Sequence, residues 1–285
     1  MKLKLIALVF VCLISYSSSA QQGTEVYLFD LSFSDGLVGL SNPRNISDNP
    51  GYDNQPSFTS DNFLLYTSVN GDQADIVKYD LKSGIKVYLT STPASEYSPT
   101  QTPEKKYFST ITLEQSGRQL LWLYPLDKSG KGEVLVPYLK IGYHTWLDET
   151  TLFAFVLGEH MTLQKINLSN QTAEILQEDI GRSLHMVPGT HSLSYVKKNG
   201  DDWMIRSYNT QADSTIDLTT TLESVEDFCW YDGTTLLMGK DHLLYLWNDS
   251  TDWVQCADLS AWQLSGITRI AISKDRKLLA VVVNE

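Results

Sequence analysis

The chain has 285 residues, 42% of them hydrophobic and 20% charged, with a formal net charge of −12 at pH 7. An acidic surface disfavours nucleic acid and anionic membranes as partners, although solubility alone explains such a charge equally well. The length exceeds what one small core needs and suits a closed all-β fold in a single domain.

Residues 1–20 read as a secretory signal peptide. Lys2 and Lys4 form a basic start, Leu5 to Ile14 an apolar run, and Ser18-Ser19-Ala20 a small-residue cleavage point, so the mature chain is expected to begin at Gln21. The apolar run is too short for a membrane anchor, which needs about 20 residues. Cys12 lies inside it with no small residue before it, which argues against lipid attachment. The expected location is periplasmic or secreted, with no membrane insertion after cleavage.

Two β-type runs follow, Glu25 to Leu31 (EVYLFDL) and Leu37 to Leu40, and then a polar connector from Pro43 to Pro50. Asp53 to Thr90 contains four short runs closed by turn residues: Pro56–Phe58, Phe63–Ser68, Asp75–Leu81 and Ile85–Leu89. Runs rich in Val, Ile, Tyr and Phe between Gly, Asn, Asp and Ser are strands of a meander, here about the size of one propeller blade. The pattern then recurs. An anchor residue, a turn and a strand repeat at Phe58, Gln101, Trp146, Val187, Trp230 and Ile272, spaced by 43, 45, 41, 43 and 42 residues. Gln101 is the one polar anchor.

A second register comes from the third strand of each unit: Asp75–Leu81, Leu120–Leu126, Leu163–Leu168, Trp203–Asn209 and Leu243–Asp249. Each ends near Asp, Asn or Pro, which favour turns through side-chain bonds to the backbone or a fixed φ. The sixth unit stops after Lys277–Val283, two strands short, and the two N-terminal runs match the missing strands. No stretch has a sustained 3.6-residue apolar period. The expected fold is all-β: a single six-bladed β-propeller domain over residues 21–285, with four-stranded antiparallel blades. Residues 21–47 complete the last blade, which hides sheet edges.

The repeat resembles the WD-repeat-like propeller of the TolB family, whose pattern is carried here by Pro56, Phe58, Ser60, Asp61, Ser68, Asp75-Ile76, Asp80-Leu81, Gly84 and Leu89-Thr90. The resemblance is close in the first full blade and fair in the second and sixth, while the others keep only the strand rhythm. It implies a six-bladed propeller in a periplasm-type compartment. The separate N-terminal domain of TolB has no room before the first blade, so a role in Tol–Pal coupling is not implied.

In a propeller, the residues leading into each innermost strand open on one mouth of the central channel. Here they are Asn54 and Gln55, Glu96 and Ser98, Tyr143 and His144, Arg182 and His185, Glu226 and Asp227, and Arg269. The candidate ligand site is Glu96, Tyr143, His144, Arg182, His185, Asp227 and Arg269. Arginine suits bidentate recognition of a carboxylate or other anion. Alternatively, these groups satisfy one another and channel water. A metal reading uses His144 and His185 with Glu96 or Asp227. Nothing has local ligand spacing, so no metal and no cofactor is expected.

Other matches are weaker. Residues 181–185 (GRSLH) end in His where a nucleophile elbow needs Gly, and residues 127–132 (DKSGKG) place Lys131 at a calcium-ligand position. Asn45, Asn167, Asn170 and Asn248 head glycosylation-type triplets but read as turn residues. Trp146 and Trp230 read as packing between blades. Cys229 and Cys256 fall on the innermost and outermost strands of one blade, about 14 Å apart by strand spacing, so both should be free thiols. The functional expectation is an exported, non-catalytic binding or scaffold propeller, monomeric, with a protein or small anionic ligand as partner. The alternative is a lyase or hydrolase acting on an anionic substrate in the funnel, with or without a metal.

Overall fold

The computed structural model describes residues 23–34 and 37–285; the expected signal peptide over residues 1–20 and the expected mature start at Gln21 lie outside them. The described residues form six four-stranded antiparallel sheets in a ring. Strands β1 (Thr24–Ser34) and β2 (Leu37–Asn45) open the chain. Blade 1 is β3 (Asp53–Phe58), β4 (Phe63–Asn70), β5 (Gln73–Asp80) and β6 (Lys86–Tyr88). Blade 2 is β7 (Ser95–Gln101), β8 (Tyr107–Leu113), β9 (Gln119–Pro125) and β10 (Glu133–Val136). Blade 3 is β11 (Ile141–Trp146), β12 (Thr151–Val156), β13 (Thr162–Asn167) and β14 (Thr172–Glu178). Blade 4 is β15 (Ile180–Met186), β16 (Ser192–Asn199), β17 (Asp202–Asn209) and β18 (Ser214–Thr220). Blade 5 is β19 (Phe228–Trp230), β20 (Thr235–Lys240), β21 (Leu243–Asn248) and β22 (Thr251–Asp258). Blade 6 is β23 (Arg269–Ile272) and β24 (Leu278–Asn284), completed by β1 and β2.

The closure expected from the repeat is present. β1 pairs directly with β24, with Val26 opposite Val282 and Leu28 opposite Ala280. Two boundaries differ from the sequence reading. β2 continues to Asn45, so Pro43 belongs to the strand and not to a connector. Proline is tolerated there because β2 is the outermost strand of its sheet. β3 begins at Asp53, with an irregularity between Asn54 and Ser57 that accommodates Pro56.

The turns follow from side-chain chemistry. Asp80 Oδ1 accepts the backbone N–H groups of Lys82 and Ser83, and Asn209 Oδ1 those of Gln211 and Ala212, each at 2.8–2.9 Å. Asn167 and Asn248 do the same for Ser169 and Ser250. These asparagines are turn formers in the place where the glycosylation triplets stand.

The apolar residues gather into six buried clusters among the described residues, one at each seam between neighbouring blades. Polar bonds supplement three of these seams. The Trp146 indole N–H donates to Ser109 Oγ across blades 2 and 3 at 2.9 Å, and that of Trp230 to Ser194 Oγ across blades 4 and 5 at 2.8 Å. Gln101, the polar anchor, serves the seam between blades 1 and 2. Its Oε1 accepts the Ser60 N–H at 2.8 Å and its Nε2 donates to Asp61 Oδ2 at 3.2 Å. Cys229 and Cys256 are both free thiols. One short 3-10 turn, Ser260–Trp262, is the helical content of the described residues. No helix among them is long and apolar enough to cross a membrane.

The N-terminal strand contributes to the core directly. Phe29 of β1 is fully buried against blade 5 residues and the Trp262 ring. Phe29→Ala should therefore cost about 3–5 kcal/mol. Ile216→Ala, at a 61% exposed outer-strand position, should stay within about 0.5 kcal/mol. Paired thermal and denaturant melts check this. An unchanged Phe29→Ala melt would show that β1 is not built into the last blade.

Candidate ligand site in the channel mouth

Local irregularity shapes the channel wall. The inner strands β3, β7, β11 and β15 each slip register against their neighbours, at residues 54–57, 97–100, 141–143 and 180–184. Bulges of this kind bend a strand and re-aim a side chain. Gln55 and Ser98 take left-handed backbone conformations there, φ 59° and 53°, each costing about 1–3 kcal/mol for a non-glycine residue. Gln55 Oε1 accepts the Ser98 N–H at 2.8 Å and the Thr67 hydroxyl at 2.9 Å, tying blade 1 to blade 2.

A cavity of about 240 Å³ occupies the channel and is lined by residues from all six blades. Tyr143, His144, Arg182, His185, Asp227 and Arg269 all line it, together with Gln55 and Ser98. Asp227 is the centre of the charged group. Its Oδ1 accepts from Arg269 Nη1, and its Oδ2 from Arg182 Nη2 and, at 3.1 Å, Arg182 Nε. Blades 4, 5 and 6 are thereby joined through one carboxylate. Arg269 Nη2 also donates to the Tyr143 hydroxyl of blade 3 at 2.9 Å. Burial works against the charge of both arginines, but Asp227 outweighs it and both pKa values lie above the ordinary one. Glu226 adjoins the same cluster: its Oε2 accepts from Lys198 Nζ at 2.8 Å and from the Arg182 backbone N–H at 3.2 Å, while its Oε1 lies 3.4 Å from Arg182 Nε.

The two histidines are not a pair. His144 Nε2 lies 2.6 Å from Ser109 Oγ, the oxygen that also accepts from Trp146. His185 Nε2 lies 3.0 Å from Ser183 Oγ. Burial pushes His144 down to about 3 and His185 down to about 4, the latter against the pull of Asp227, so both rings are neutral near pH 7. Among the described residues no group of three His, Cys, Asp or Glu side chains converges as a metal site would require. Three polar atoms around the cavity are buried without a partner: Ser98 Oγ, His144 Nδ1 and Arg269 Nε.

Glu96 is placed elsewhere. It is fully buried between blades 1 and 2, where its Oε1 accepts the Thr92 hydroxyl at 2.5 Å and the Tyr124 hydroxyl at 3.4 Å. Asn54 is also buried and bonds the backbone N–H of Gln55. Regular alternation would place Glu96 and Ser98 on one face of β7; the irregularity between residues 97 and 100 separates them. Tyr52 stands near the arginines without a signal in the sequence, since it lies between the connector and the first repeat. Burial pushes its hydroxyl up to about 12, against the pull of Arg269.

Burial also pushes Glu96 from 4.5 to about 7, with Thr92 opposing the shift. Between those values the folded chain holds a proton that the unfolded chain lacks. The stability from this group is complete below about pH 4.5 and is lost as pH rises through about 7. The loss is on the order of 3 kcal/mol by linkage. Glu96→Gln should flatten the stability profile between pH 5 and 8, as read by urea melts across that range. An unchanged slope in the variant would assign the dependence to another group.

No family model matches the sequence, and no curated protein matches it. Solved structures do. A putative TolB from Agrobacterium tumefaciens superposes with a TM-score of 0.70 at 11% identity, covering 93% of this chain and 99% of that one. TolB from Acinetobacter baumannii gives 0.59 at 12% identity, where 92% of this chain spans 64% of that one. A gluconolactonase from Xanthomonas campestris gives 0.63 at 8% identity, with 94% and 99% covered. Identities this low speak to fold alone, and in fold the chain is a six-bladed, TolB-like β-propeller.

Proposed function

We propose that the chain is an exported, non-catalytic binding propeller that takes an anionic group at the channel mouth. The observation that carries this reading is the charge balance around Asp227. Arg182, Arg269 and Lys198 face two carboxylates, Asp227 and Glu226, which leaves one positive charge over. Of the two arginines on Asp227, Arg182 is the accessible one, with about a third of its side chain exposed against 13% for Arg269. The unpartnered Ser98 Oγ, His144 Nδ1 and Arg269 Nε call for further hydrogen bonds from whatever fills the cavity. Export rests on the signal-peptide reading of residues 1–20.

The gluconolactonase likeness keeps a hydrolase or lyase as the second reading. The neutral histidines weigh against it. General acid–base work is most effective when the group titrates near the working pH, and both rings titrate well below it. A rigid ring with variable loops is equally a platform for recognition without chemistry.

The two arginines should separate on mutation. Arg182→Ala should weaken binding of a carboxylate-bearing ligand about ten- to hundredfold, the worth of one charge-assisted bond. Its own stability cost should be small because the position is partly hydrated. Arg269→Ala should in addition cost about 1–3 kcal/mol of stability, since it leaves the Tyr143 hydroxyl and Asp227 short of a partner. Thermal melts of wild type and both variants, with and without a panel of small acids, read both effects. If no acid stabilises the wild type and both variants melt early, the arginines are structural and the reading fails.

A further inference from the structure

A second hollow adjoins the charged cavity. It lies between blades 2 and 3, measures about 340 Å³, and meets the channel cavity at Gln55, Ser98 and Tyr143. Unlike the channel cavity it has no charged lining residue: Tyr97, Ile111, Leu113, Phe155 and Leu157 line it beside the polar Gln119, with Tyr52 at the side of the arginines. Leu113 is 40% exposed on this wall. The volume is ample for an apolar group, since a cavity of about 150 Å³ takes up benzene.

Tyr143 stands between the two spaces. Its hydroxyl accepts from Arg269, while its ring meets Phe155 edge-on at 5.9 Å and 66°. One face of the same residue thus belongs to the ion cluster and the other to the apolar wall. Gly142 keeps that wall in place: a Cβ there would come within 2.9 Å of Phe155 Cδ1. Ser98 also lines both spaces, and its hydroxyl is buried without a partner.

From this juxtaposition we infer that the ligand is a carboxylate carrying an apolar body, with the acid group at Arg182 and the body in the hollow between blades 2 and 3. The excess positive charge selects the acid and the tyrosine, phenylalanine and leucine wall selects the body. A free aryl or alkyl acid and the C-terminal residue of a peptide share this chemistry. The inference rests on the anion-binding reading of the channel mouth and adds the ligand class to it.

Calorimetric titration of the full chain tests it with five probes: acetate, 3-phenylpropionate, 3-phenylpropanamide, and the peptide Gly-Gly-Phe with a free or an amidated C-terminus. Phenylpropionate should bind at least tenfold tighter than acetate, as burial of an apolar ring requires. The neutral amide should lose at least tenfold relative to the acid. Leu113→Glu should reduce phenylpropionate affinity by tenfold or more. Leu113→Ala, which trims the wall without adding charge, should reduce it about threefold, and a melt of each variant shows that it is folded. Binding of the free but not the amidated peptide identifies a peptide terminus as the source. Binding of phenylpropionate without either peptide identifies a small acid. Equal affinity for acetate and phenylpropionate overturns the inference while leaving the anion reading standing. Binding of neither acid overturns both, and equal affinity for acid and amide overturns the role given to Arg182.

Discussion

The antiparallel pairing of β1 with β24 is the constraint on which the rest of the molecule depends. A ring of blades is stable only when every seam is filled, because each blade presents one apolar face to the blade before it and one to the blade after it. Six buried clusters meet this need, and two of them contain residues of β1: Val26 and Leu28 face blade 1, while Phe29 and Leu31 face blade 5. Without β1 both seams would open to water, and β24 would become an exposed edge. The inner strands, and with them the channel, hold their positions only in the closed ring.

The channel then inherits its character from geometry. Inner strands from six blades converge, so any polar side chains at their mouths are forced together. Asp227 resolves part of the resulting repulsion by serving two arginines at once. One carboxylate cannot neutralise two cations, and a charge in a space walled by protein is screened less than one in open water. The same bonds join blades 4, 5 and 6, with Tyr143 adding blade 3. An ion cluster of this kind works as both a clamp between blades and an electrostatic feature of the mouth. The accessible edge of Arg182 marks where the second role dominates.

The fold was legible in the sequence because the repeat states it several times over. Spacing, turn residues and strand composition agree from unit to unit, and the unmatched pair of strands at the C-terminal end finds its complement in Glu25–Leu40. The Asx turns at Asp80, Asn167, Asn209 and Asn248 are local chemistry, readable residue by residue. Six of the seven candidate site residues lie together because the start of an inner strand fixes location to within two or three positions. Glu96 does not, and the reason is orientation. A single irregular step in β7 decides whether residue 96 or residue 98 faces the channel, and backbone bulges leave no dependable mark in composition. Gln55 and Ser98 adopt positive φ without being glycine or asparagine, so the usual signal for that conformation is missing. Pro43 and Tyr52 show the same limit at element boundaries.

The register of β1 against β24 carries a kinetic consequence. Val26 and Val282 are partners across 256 positions of chain. Closing so long a loop costs about 3 kcal/mol more in entropy than closing a hairpin of eight or so residues. The hairpins within blades 1 to 5 form from neighbours in sequence, so they can assemble early and propagate from blade to blade. Blade 6 cannot be finished until the first strand and the last meet. Completion of the ring therefore waits on the pairing that spans the most chain, and contacts of such high sequence separation slow folding.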